Sequence, residues 1–306
     1  MPAMRITSGH MSRHWLQSVQ SIQSGVASLS QQVASGSRIS RPSDDPTATV
    51  RSLAVGDRLE RYEQFSRNVQ FAQGHIEVAE GGLADVTAIL HRVRELLIQG
   101  GNDTNSPEAL EAIAQEVRQL KEGIRQAANL RYGDDYVFAG TATGTRPYPG
   151  PGNAYAGNGN AMERRVDDGV TVVVNRPGTT VFGVTTGALP TDMDVFDLLD
   201  QVVADLQAGT PAARDQIRGA NLQALDGHLD NVLRQRAELG AVSNRLDRVA
   251  ERLSMLREHT TEDLSRLRDT DMAEAIMRLT TLNTVYEAAL MSGSRMLQTS
   301  LVDFLR

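Results

Sequence analysis

The chain has 306 residues, a formal net charge of −7 and no basic surplus that would attract nucleic acid. It has no cysteine, which excludes disulfides, thiolate metal sites and cysteine nucleophiles. The single lysine, Lys121, lies inside a helical heptad, where it suits neither a phosphate loop nor a Schiff base, and aromatics make up only 4%.

No apolar run reaches the roughly 18 residues of a membrane span. No basic stretch followed by an apolar core opens the chain, so a cleaved signal peptide is not expected. Residues 1–10 read as irregular, and either Met1 or Met4 could be the start. From Met11 a heptad begins with Trp15, Val19, Ile22, Val26, Leu29 and Val33. Between His14 and Ser37 there is no Asp, Glu, Lys or Arg. A solvated helix carries charge on its outer faces, so this segment is expected to be covered on several sides. Its serines and glutamines drive a helix weakly, and an isolated helix of this length is marginal in water. Order at the terminus is therefore expected to come with assembly.

Gly36 ends that helix, and Pro42 and Pro46 forbid a continuous helix beyond it. Ser43, Asp44 or Asp45 can cap the next one, and capping explains the acidic pair better than a metal site does. A helix from Pro46 leads into the longest apolar stripe, Tyr62, Phe65, Val69, Ala72, Ile76, Ala79, Leu83, Val86, Leu90, Val93 and Leu97. That stripe would be roughly 54 Å long at about 1.5 Å per residue, and it demands partner helices of similar length. Gly81-Gly82 marks a place where it could bend. Gly100 to Asn105 turns the chain, and Ser106-Pro107 starts a returning helix with the seam Leu110, Ile113, Val117, Leu120, Ile124 and Ala127.

Residues 131–190 lose the helical period and gain Gly, Thr, Val, Pro and Tyr. Tyr136-Val137-Phe138 and Val170 to Val174 read as strands, and Asp167-Asp168-Gly169 as a hairpin turn. This insert, bounded by turns, is expected to be removable without loss of the helices. A helix near 192–207 follows, and then a third long seam: Leu222, Leu225, Leu229, Val232, Leu239, Val242, Leu246, Val249, Leu253 and Leu256. Arg236 interrupts it. The last seam is Met272, Ile276, Leu279, Leu282, Tyr286, Ala289, Gly293 and Met296, then Leu297, Leu301 and Phe304, and the only charges between Leu279 and Val302 are Glu287 and Arg295. Both ends are thus low-charge heptads that can pair.

The pattern gives a mainly α fold: a long antiparallel helical bundle or coiled coil of N- and C-terminal arms, with a small β-rich domain inserted mid-chain. The expected divisions are 1–42 with 270–306, 43–130 with 192–269, and 131–191. No catalytic, cofactor or metal set stands out. His10 and His14 are four apart but lack a third ligand, and His75, His91, His228 and His259 read as lying on polar helix faces.

Three stretches together resemble the bacterial flagellin family. They are Leu29 to Ile39 running into Ser43-Asp44-Asp45-Pro46, Arg92 to Gln99 with Asn102 to Ser106, and Arg236 to Ala241 with Asn244-Arg245-Leu246. Within that family Met4-Arg5-Ile6-Thr7, Arg41 to Pro46, Tyr136 to Thr141 and Ser300 to Leu305 look like members at the hook–filament junction. The resemblance implies an extracellular, non-enzymatic subunit exported through the flagellar type III apparatus. Its implied partners are its own copies in a ring, a second junction protein, flagellin and an export chaperone. The assembly interface is expected on Trp15, Val19, Ile22, Val26, Leu29 and Val33, with Leu279, Leu282, Tyr286, Leu290, Leu297, Leu301 and Phe304. A short flagellin forming the filament is the nearest alternative. A coiled-coil scaffold or signalling protein is the next, though it would want charged flanking positions that residues 14–37 lack.

Overall fold

The computed structural model describes residues 8–150, 152–187 and 190–304, with side chains at residue 10, at 13–150, at 152–187 and at 190–294. In chain order the elements are α1 (Ser8–Ser35), α2 (Pro46–Gly100), α3 (Pro107–Ala128), β1 (Arg131–Tyr132), β2 (Asp135–Tyr136), β3 (Glu163–Asp167), β4 (Val170–Val173), α4 (Gly178–Phe182), α5 (Val195–Ala208), α6 (Pro211–Gln216), a π-helical turn at Ile217–Asn221, α7 (Leu222–Arg268) and α8 (Met272–Phe304). The chain forms two compact units, residues 62–255 and residues 1–61 with 256–306. The divisions therefore fall inside α2 and α7, rather than at the turns near 42 and 270 where the sequence breaks its pattern.

In the terminal unit, Gly36 closes α1 in the left-handed region at φ 66°. Its carbonyl accepts from Thr270 N at 2.9 Å, and Arg38 N donates to Arg268 O at 2.7 Å. The break after α1 and the break before α8 are thus tied together. Asp44 accepts from Ser40 N and Arg41 N, closing the proline-bounded turn. Asp45 is the cap of α2, accepting from Ala48 N at 2.9 Å. Bonds to Ala48 N and then Thr47 hold its pKa below the ordinary carboxylate value.

In the unit 62–255 the α2 stripe is buried as its period demands: Val69, Ala72, Leu83, Val86, Leu90 and Val93 are each at most 1% exposed. No bend is needed at the glycines, because α2 is continuous from Pro46 to Gly100. Gly82 instead admits Leu130, whose Cδ1 would lie 2.6 Å from an added Cβ, and Gly74 admits the Tyr132 ring. Ser106 caps α3 as its sequence suggests, with Pro107 in the first turn. Lys121, nearly buried, pairs with Asp200 of α5 at 2.6 Å. The interruption at Arg236 has a partner: its guanidinium grips Glu80 of α2 through Nε and Nη2 at 2.7–3.2 Å. Arg94–Asp226 and Gln73–Asp247, at 2.7 Å each, add further polar pairs along α2 and α7.

The insert differs from expectation in two ways. Its strands are short: β1 and β2 hold two residues each, and only β3–β4 forms a sizeable hairpin, turning at Gly169 with φ 71°. Val137 and Phe138 do not continue β2; both are fully buried. The insert also shares its core with the helices. Phe138, Tyr148 and Phe182 from it join Phe196 of α5 in one aromatic cluster, with ring centroids 4.6–5.8 Å apart. Those side chains belong to the same core as the stripes of α2, α3 and α7. The β3–β4 hairpin lies against α2, where Asn68 donates to Arg165 O at 2.7 Å and Arg164 sits 4.6 Å over Phe71. Its tip reaches α7 through an Arg252–Asp167 ion pair. Turn-rich boundaries reported where the chain changes pattern, not where the core ends.

Two histidines also depart from the sequence reading. His91 and His259 are exposed, but His75 is fully buried and His228 half-buried. His75 packs with Phe71 and Tyr132, while His228 Nε2 lies 3.1 Å from Met193 O. Burial pushes both pKa values below the ordinary 6.5, chiefly by desolvating the charged form. The unfolded chain therefore binds more protons than the folded one once the pH falls below that ordinary value, and stability is lost in that direction. Heat melts at about pH 7 and about pH 5 test this. The melting temperature is expected to fall, and to fall less in His75→Phe/His228→Gln. An equal drop in that variant would refute the assignment.

Candidate functional site

The terminal helices α1 and α8 form an antiparallel pair. Its packing follows from the two heptad seams. Trp15 Nε1 donates to Ala289 O at 3.0 Å, and the indole lies on Gly293, where an added Cβ would collide with the ring. Val19 is buried, and Ile22, Val26, Leu29 and Val33 are half-buried. Gly25 lets the helices approach, with Leu282 Cδ1 3.5 Å from the position of an added Cβ. On α8, Leu279, Leu282 and Tyr286 are half-buried in the same way. The structure thus brings together nine of the residues expected to act as an interface, but with each other. Leu290 points elsewhere and is 41% exposed. Leu297, Leu301 and Phe304 lie outside the described side chains.

What remains uncovered is a second set of apolar side chains. Leu16 on α1, with Met272, Ile276, Met277, Val285, Leu290 and Met291 on α8, are each 41–66% exposed. A reading restricted to the seam missed most of these. Met272 and Ile276 were legible as members of the seam, and Val285 and Met291 stand beside it in a stretch with few charges. Exposed apolar surface of this kind marks an interaction face. Among the described residues no group of three His, Asp or Glu side chains is placed to hold a metal, and His10 and His14 are both exposed. Among them also, no helix is long and apolar enough to cross a membrane.

The single tryptophan makes the pair measurable. Gly293→Leu places a branched side chain against the Trp15 ring and is expected to separate α1 from α8. Trp15 emission should shift to the red while the melt of residues 62–255 stays in place. Unchanged emission would show that the ring does not pack there.

Long paired helices, termini brought together and a small sheet-bearing segment at mid-chain define a helical structural protein. The chain belongs to the bacterial flagellin family. Residues 6–143 match the flagellin N-terminal helical region and residues 222–305 the C-terminal helical region. The chain is 26% identical over 305 residues to flagellar hook-associated protein 3 of Escherichia coli, covering 93% of this chain and 96% of that one. It is 30% identical over 266 residues to the flagellin of Bacillus subtilis, covering 85% of each. The fold is shared with FlgL of Xanthomonas campestris, at a TM-score of 0.62 and 20% identity over 69% of this chain and 99% of that one. It is shared also with the flagellar junction protein FlgL of Legionella pneumophila, at 0.57 and 18% over 71% and 99%.

Proposed function

We propose that this chain is the flagellar subunit that joins the hook to the filament. The observation that carries it is the end-to-end match to hook-associated protein 3, whose length is 96% covered, against 85% for the Bacillus flagellin. The low-charge terminal pair with its uncovered apolar side chains supports assembly with neighbouring copies. The role is structural, without catalysis or cofactor. The partners of this reading are further copies of the chain, a second junction protein, flagellin, and an export chaperone that holds the chain before passage through the type III apparatus. The protein then acts outside the cell.

A short flagellin is the second reading, favoured by the 30% identity to the Bacillus protein. Deletion of the gene separates the two. Loss of a junction subunit leaves hooks without filaments and releases flagellin monomers into the medium. Loss of a filament subunit releases none. Attached filaments of normal length in the deletion strain would overturn both.

A further inference from the structure

A groove of about 360 Å³ lies in the terminal unit, between the start of α2 and the end of α7. Ile39, Pro42, Leu53 and Leu264 line it, with Gly56 in its wall. Leu53 is 63% exposed, and Val50, one turn earlier, is 67% exposed. Nothing lies within 4 Å of where a Gly56 Cβ would stand, so the space that glycine leaves is unfilled by its own chain. A knob and a hole therefore sit one turn apart on the same helix.

The charges around the groove are separated by sign. Arg41 lies in the turn before α2 and Arg268 is the last residue of α7, tied to that turn by Arg38 N donating to Arg268 O at 2.7 Å, whereas Asp57 and Glu60 lie about three to four turns along α2. The structure holds many ion pairs, yet among the described residues none of these four side chains is in one. A surface positive at one end and negative at the other is complementary to a displaced copy of itself.

We propose that this groove is a contact between copies of the chain, in which Arg41 and Arg268 of one copy meet Asp57 and Glu60 of the next. Leu53 and Val50 are covered there, and the open side of Gly56 is filled. A contact that joins one end of a patch to the opposite end of its neighbour is head-to-tail, and it closes a ring or continues a helix. The proposal deepens the junction reading, but its test does not depend on that reading.

Two charge reversals test it in the full-length chain. Arg41→Glu/Arg268→Glu leaves the groove wholly acidic, and Asp57→Arg/Glu60→Arg leaves it wholly basic. Sedimentation velocity at high protein concentration and low ionic strength is the readout. The wild type is expected to self-associate in a salt-sensitive way, and each reversal alone to associate at least about tenfold more weakly. An equimolar mixture of the two should recover the wild-type distribution, because unlike ends meet again. Far-ultraviolet circular dichroism checks that each variant is folded. A monomeric wild type, undiminished association of either reversal alone, or a mixture that fails to recover would each overturn the contact. The last would show that the basic and acidic ends do not pair across copies. None of these outcomes alters the deletion phenotype on which the junction reading stands.

Discussion

Phe182→Ala is expected to destabilise the unit of residues 62–255 by about 3–5 kcal/mol, the range for removing a large aromatic side chain from a packed core. Phe182 is 1% exposed and touches three rings, with centroids 5.6 Å from Phe138, 5.7 Å from Tyr148 and 5.8 Å from Phe196. Only Phe196 belongs to a long helical segment; the others are in the insert. The loss is therefore felt by helices that contribute little to the site itself. Guanidinium denaturation followed at the helical band should show a lower midpoint. Deleting residues 131–190 should go further, because it removes Phe138 from the Gly82–Leu130 approach and uncovers the Phe65 and Phe71 faces of α2 under Arg165 and Arg164. The helical signal of this unit is expected to fall with the deletion. A Phe182→Ala chain with an unchanged midpoint, or a deletion with full helicity, would restore the view of a dispensable insert.

That result also marks where the sequence is readable. The long stripes were legible because burial on one side of a helix forces a period, and Val69 to Val93 carry it without a break. Caps were legible for the same kind of reason: only a few side chains accept from free N–H groups, so Asp45 and Ser106 announce helix starts. Arg236 could be seen as an anomaly but not explained, because its partner Glu80 lies 156 residues away. Phe138, Tyr148 and Phe182 carry no period, since each reaches the core from an irregular segment. His75 and His228 fall on faces that a two-helix picture leaves open and that the insert closes. The terminal pair was half legible. Its seam follows from the heptads, but which apolar residues the pair leaves outside depends on how two helices rotate about each other.

That distinction decides how assembly is best probed. Val26 is half-buried in the α1–α8 seam, so a carboxylate there disturbs the pair as well as any contact beyond it. Leu290 and Met291 are 41% and 66% exposed, so a carboxylate at either position is hydrated in the free chain. In an assembly that covers this face of α8, the same carboxylate has to be desolvated or protonated, at about several kcal/mol per copy. A ring or filament repeats that cost in every subunit. Leu290→Glu and Met291→Glu are therefore expected to keep the wild-type melt and the wild-type Trp15 emission, since the indole rests on Ala289 and Gly293 while the Leu290 and Met291 side chains stand exposed beside that contact. In cells they should be exported yet leave hooks without filaments. Val26→Glu should lose both filaments and the native Trp15 emission. Normal filaments from Leu290→Glu and Met291→Glu would mean that this face stays in water after assembly. A red-shifted Trp15 in those variants would mean instead that Leu290 and Met291 hold the pair together.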